Sequence, residues 1–256
     1  MGDRDAWASR LTVCMVHYLI LITICIVGAM LQATIGFGFP IFAMIFLVMI
    51  FPFSTAVTIT QFAGLLGVGY FFFKYRKFVQ WRVLLPFLVP ALLIGISLTY
   101  VSVEFPVSQL KIGLGLVLIG IALLFLFRSG SIGVKPTPQM GFLMGSLSGV
   151  MNGLFAVGGP PVALYLLPTT EDKLGYIASA NAYFLIFKIF SLPIRFSNGS
   201  IQREHIPFLL VSLFSMTIGI LIGDRLMRRI PKPLLRIMVY SFVAVSGLII
   251  ILQEIF

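Results

Sequence analysis

Acid is what this chain has least of. Eight Asp and Glu stand against 18 Lys and Arg in 256 residues, with only two histidines and two cysteines. The acids are Asp3, Asp5, Glu104, Glu171, Asp172, Glu204, Asp224 and Glu254, all at the ends of apolar runs or in the connections between them. Apolar runs without carboxylates argue against the acid-lined sites that membrane pumps use for protons and sodium ions. The sequence has no intramembrane carboxylate pair, no His/Cys cluster, no G-x-S-x-G elbow and no Walker-type loop, so no enzyme reading, metal or cofactor is expected. Cys14 and Cys25 share one apolar run without metal-ligand spacing and read as packed side chains. His17, alone in the same run, reads as a packing or interfacial residue.

Long polar stretches are also missing, which leaves no room for a separate soluble domain. Apolar residues make up 59%, charged residues 10%, and the mean hydropathy is +1.09. Apolar runs near the 18-residue spanning length recur along the chain, so the expected class is an all-α polytopic membrane protein. The runs are continuous rather than alternating, which disfavours a β-barrel. The net charge of +10 resides in short connections between spans, as cytoplasmic loop bias expects, and not in a nucleic-acid-binding surface. Asp3 and Asp5 and the uninterrupted run after them argue against a cleaved secretory signal, and Ala6 breaks a myristoylation match at Gly2.

Two glycine-proline interruptions stand out. The first is Gln32-Ala33-Thr34-Ile35-Gly36-Phe37-Gly38-Phe39-Pro40, and the second runs from Asn152-Gly153 to Val157-Gly158-Gly159-Pro160-Pro161. Apolar segments lie near 11–31, 39–51, 55–73, 83–101 and 109–127, then a linker over 128–139, then 140–152, 160–168, 175–194, 206–222 and 234–252. The pieces 39–51, 140–152 and 160–168 are too short to cross about 30 Å of hydrocarbon and read as half-helices. At an offset of 120, Gln32 falls on Asn152, Gly38 on Gly158, Pro40 on Pro160 and Gln61 on Asn181. Cys25, Ala29 and Ala33 likewise fall on Gly145, Gly149 and Gly153. The expectation is therefore one membrane domain over 1–256, made of two five-segment repeats near 11–127 and 140–252.

Loop charge orients the repeats. Counting each broken segment as two passes collects Lys74, Arg76, Lys77, Arg82, Arg128, Lys135, Lys173, Arg225, Arg228, Arg229, Lys232 and Arg236 on one side. Arg4, Arg10, Lys111, Arg195 and Arg203 remain on the other. Counting it as one pass weakens this asymmetry. The first count favours inverted repeats with both termini outside the cytoplasm.

Paired breaks at matching positions are the best sequence pointer to a transporter's substrate site. Glycines let backbone approach a ligand, and prolines suit the first turn of a following helix, whose free N–H groups favour an anion. The paired amides Gln32, Asn152, Gln61 and Asn181 are candidate donors, the alternative being hydrogen bonds between helices. Lys188 lies inside an apolar run with no carboxylate to pair with, which leaves a bound anion, helix carbonyls, or snorkelling to the surface. Arg195 reads as an interfacial anchor. The stripe Gly141, Gly145, Gly149 and Gly153 reads as a close helix contact.

The two breaks, with Leu164-Tyr165-Leu166 after the second and the segment Asn181 to Lys188, resemble the TauE/SafE sulfite exporter family. The resemblance covers essentially the whole chain. It implies a bacterial inner-membrane permease for sulfite, sulfoacetate or other small sulfur-containing or organic anions, often exported. Its motif positions fall on Gly36, Gly38, Pro40, Gly158, Gly159 and Pro160. Phe39 and Pro160 stand where many members carry a third glycine. The expected partners are a small anionic substrate and the lipid bilayer, with a homodimer a further candidate and no nucleic acid. A passive anion channel and a membrane-embedded assembly partner are the competing readings.

Overall fold

The computed structural model describes residues 2–102, 137–199 and 202–231, with scattered single positions at 110–120 and 233–245, and side chains from residue 15 onward. The expected segments 109–127 and 234–252 and most of the linker 128–139 lie outside the described residues. So do Glu104, Pro106, Lys111, Arg128, Lys135, Lys232, Arg236 and Glu254. The described chain is helical, with no strand among the described residues. Its helices are α1 (Gly2–Ile35), α2 (Phe39–Leu47), α3 (Phe53–Tyr75), α4 (Trp81–Val101), α5 (Pro138–Phe155), α6 (Gly159–Thr169), α7 (Lys173–Ser197) and α8 (Ile206–Met227). Five stretches are long and apolar enough to span a membrane: Met15–Ile35, Phe53–Phe78, Trp81–Val101, Lys173–Ser197 and Ile206–Met227. The protein is a multi-pass membrane protein. Its outer surface carries Leu19, Phe73, Leu93 and Phe214, while Gln32, Gln61, Asn152, Asn181 and Lys188 are buried inside. That distribution suits lipid as the surrounding solvent, where polar groups must find partners within the protein.

Local chemistry sets the helix ends. Thr137 caps α5 by accepting from the Met140 amide at 3.3 Å, and Asp172 caps α7 by accepting from Gly175 at 2.6 Å. α5 stops at a left-handed Ala156 (φ 60°), whose amide returns to Asn152 O while Val157 returns to Met151 O. α1 stops before Gly36 and Gly38, with φ of 88° and 120°, a region that favours glycine. Pro40 then falls in the first turn of α2, and Pro160 and Pro161 in that of α6.

Two extensive helix pairs frame the molecule, α4 with α5 and α1 with α8. Both run parallel. Along α5, a Cβ on Gly145 would lie 2.2 Å from Phe87 O, on Gly149 2.7 Å from Ala91 O, and on Gly153 2.4 Å from Gly95 O. Along α8, Gly219 faces Ile26 and Ala29, and Gly223 faces Met30 and Ala33. The glycine stripe is thus a backbone-to-backbone contact. α3 packs against α7 and α8, and α7 packs against α4, so these two helices link the pairs.

Three sequence expectations change here. The segment 140–152 extends at both ends to the 18 residues of α5, because Thr137 caps it early and Ala156 stops it late. Asp224 belongs to the span Ile206–Met227, and is buried. It is tolerated because Lys74 Nζ pairs with it at 2.5 Å, Tyr75 donates at 3.1 Å and Arg228 lies at 3.2 Å. Arg195 is buried rather than interfacial. One end of the bundle is basic. There the last turns of α3 and α8 meet through Lys74 and Asp224, and Lys173 at the start of α7 donates to the Met227 and Ile230 carbonyls.

Candidate functional site

The two interruptions meet. Gly159, first residue of α6, lies under Phe37 so closely that a Cβ there would be 2.1 Å from the Phe37 ring. Between them is a small cavity lined by Gln32, Phe37, Gly38, Pro40, Ile41, Val68, Val157, Gly159, Phe184 and Lys188. It is narrow, with free space for about one water-sized body. The walls are mostly apolar, and their few polar groups are an ammonium, an amide and the starts of two helices. The first N–H groups of a helix have no acceptor one turn back, so Phe39 and Ile41 of α2 and Gly159 of α6 are the backbone donors at these starts. Pro40, Pro160 and Pro161 supply none.

Lys188 supplies the charge. Its Nζ donates to Gln61 O at 3.1 Å, and among the described residues no carboxylate pairs with it. It lies fifteen residues after Lys173, about 22 Å along α7 from the basic end. It stands nine residues before Ser197, about 13.5 Å from the other end of α7, and is buried inside the bundle. Two glycines of α3, not singled out in the sequence, leave room for the polar heads. A Cβ on Gly64 would be 3.0 Å from Lys188 Nζ, and one on Gly67 3.2 Å from Gln32 Nε2. Gln32 Oε1 has no hydrogen-bond partner among the described residues.

Of the residues expected from sequence, Gln32, Gly38, Pro40, Gly159 and Lys188 line this cavity, and Gly36, Gln61, Asn152, Gly158, Pro160 and Asn181 lie outside its lining. Each of the latter has a local partner or neighbour. Gly36 abuts Tyr176, whose hydroxyl donates to Ile35 O at 2.9 Å and holds the end of α1. Gln61 accepts from Ser191 at 2.7 Å through its amide oxygen, while its Nε2 has no partner. Asn152 donates to the Tyr183 hydroxyl at 3.3 Å. Gly158 is the N-cap of α6, its carbonyl accepting from Ser148 at 2.8 Å, and Pro160 follows in the first turn. Asn181 donates to Ile177 O of its own helix at 2.8 Å. Tyr183, Ser148 and Tyr176 thus brace the breaks. No sequence motif marks them, because each acts through a partner remote in the chain.

The arrangement presents to a small anion one buried cation, one side-chain amide and two helix starts in an apolar frame. A family model described as "Sulfite exporter TauE/SafE" matches residues 20–250, which is most of the chain and includes every cavity residue. No curated protein and no solved structure matches the chain.

Proposed function

The chain belongs to the TauE/SafE sulfite exporter family, and on that premise we propose that it carries small oxyanions, sulfite first among them, by alternating access at the cavity between its two interruptions. The carrying observation is Lys188, buried at that cavity without a carboxylate partner. A lone intramembrane charge costs about 2.5–3.5 kcal/mol on insertion scales and marks a functional site by default. Here Lys188 attracts the anion, Gln32 and the Gly38 and Gly159 backbone orient it, and the helix starts add partial positive charge. Gly158, Pro160 and Gly36 shape the breaks, while Asn152, Gln61 and Asn181 act behind the cavity wall.

The moving parts are two inverted five-segment repeats. The offset of 120 aligns α1 with α5 and α4 with α8, and the pairs α1–α8 and α4–α5 exchange partners as a two-fold axis requires. α3 ends at the basic end, where its counterpart α7 begins, which supports opposite orientations. The basic end is then cytoplasmic in the bacterial inner membrane, with both termini periplasmic. Rocking of one repeat against the other opens the site to each face in turn.

The test is sulfite counterflow in proteoliposomes. A carrier gives saturable flux with counterflow and loses both on Lys188→Ala. Unsaturable flux without counterflow indicates a passive channel, and unchanged flux in the variant removes Lys188 from the site.

A further inference from the structure

A second buried cation lies on the same face of α7. Counting along the helix, Asn181, Phe184, Lys188, Ser191, Arg195 and Asn198 follow at alternating steps of four and three, which makes one continuous stripe. Arg195 stands seven residues beyond Lys188, about 10.5 Å further from the basic end. It is buried, and no carboxylate pairs with it among the described residues. Its Nη2 donates to Gly153 O at 2.6 Å, at the end of α5, but its Nε has no partner among the described residues.

Besides Asn181 Oδ1 further back on the stripe, three buried groups here lack hydrogen-bond partners among the described residues: Arg195 Nε, Gln61 Nε2 and Asn198 Nδ2. All three are donors. Gln61 joins the stripe through Ser191 and holds Lys188 through its carbonyl. A cation suits the carbonyl end of α5, but that hydrogen bond engages Nη2 alone and leaves Nε without a partner among the described residues. Two unpaired cations on one helix face repel each other, and an anion passing between them removes that repulsion.

We propose that Arg195, with Ser191 and the Gln61 and Asn198 amides, forms a second oxyanion site, on the route between the Lys188 cavity and the non-basic face. It rests on the reading of the Lys188 cavity as the main site. The anion is handed over about two helical turns and leaves beside Asn198 at the end of α7. Ligands of this site are small oxyanions, whose oxygens would meet the charged Arg195 and the unpartnered donors Arg195 Nε, Gln61 Nε2 and Asn198 Nδ2.

The test uses the full chain in oriented proteoliposomes, with labelled sulfite presented to each face in turn and binding measured in detergent. Arg195→Gln, which retains a donor for Gly153 O, is expected to keep equilibrium sulfite affinity within threefold. Its KM from the non-basic face should rise at least tenfold and its KM from the basic face less than threefold. Arg195→Lys should restore most of the loss. Equal changes from both faces, or no rescue by lysine with a lowered Tm, would make Arg195 a helix clamp and overturn the proposal. An unaltered KM from the non-basic face also overturns it. Lys188→Met is run alongside: if its sulfite affinity and its KM from both faces all stay within threefold of wild type, the main-site reading fails by itself, whatever Arg195 does.

Discussion

Replacing Lys188 by methionine removes the ammonium and keeps a long, flexible side chain of similar helix propensity. At about 4 Å and an effective dielectric near 20, the lysine attracts one negative charge by about 4 kcal/mol. A hydrogen bond to a charged group contributes about 1.5–3 kcal/mol net. The variant should therefore bind sulfite about 2–4 kcal/mol more weakly, roughly 30- to 1,000-fold. The fold should not suffer. Lys188 makes one hydrogen bond, to Gln61 O, and a methionine in that apolar frame avoids the cost of an unpaired intramembrane charge. The assay is sulfite titration by thermal shift in detergent, read with the unliganded Tm. The expected outcome is an unchanged or raised Tm with the sulfite-induced shift abolished at concentrations saturating the wild type. A folded variant whose affinity stays within threefold of wild type would refute the argument, since no other cation lines the cavity among the described residues.

Other substitutions probe the frame. Gly64→Ala places a methyl about 3.0 Å from the mobile Lys188 Nζ, so sulfite affinity should fall several-fold with Tm nearly unchanged. Gly159→Ala drives a methyl into the Phe37 ring and should cost about 1–3 kcal/mol of stability with loss of flux; adding Phe37→Ala should recover part of both. Gly145→Ala meets the Phe87 carbonyl, which has no flexible end to yield, and should lower both folded yield and Tm. Asp224→Asn leaves Lys74 without its ion pair between α3 and α8, and should lower Tm by several degrees while sulfite affinity in detergent stays within threefold.

The sequence carried the breaks and the charge because their causes are local. Glycine at positive φ and proline in a first turn leave a mark at Gly36, Gly38, Pro40 and Pro160. A lone lysine in an apolar run is conspicuous for the same reason. What escaped depends on partners far along the chain. Asp224 is inside a span because Lys74, 150 positions away, neutralises it. Arg195 is buried because Gly153 O receives it. Asn152 and Asn181 look like Gln32 in sequence, yet one turns to Tyr183 and the other to its own helix. Gly64 and Gly67 were hidden among the many glycines of a membrane helix, and only the positions of Lys188 and Gln32 give them a role.

The central claim is that an oxyanion sits between the two interruptions and against Lys188. Selenite has the shape and charge of sulfite and scatters anomalously, so a crystal of the full chain grown with it locates the anion directly. The account predicts an anomalous selenium peak between Gly38 and Gly159, with a selenite oxygen within about 3 Å of Lys188 Nζ, and its disappearance in Lys188→Met. A peak confined to the arginines at the basic end, with the central cavity empty while the same preparation transports sulfite, would contradict it.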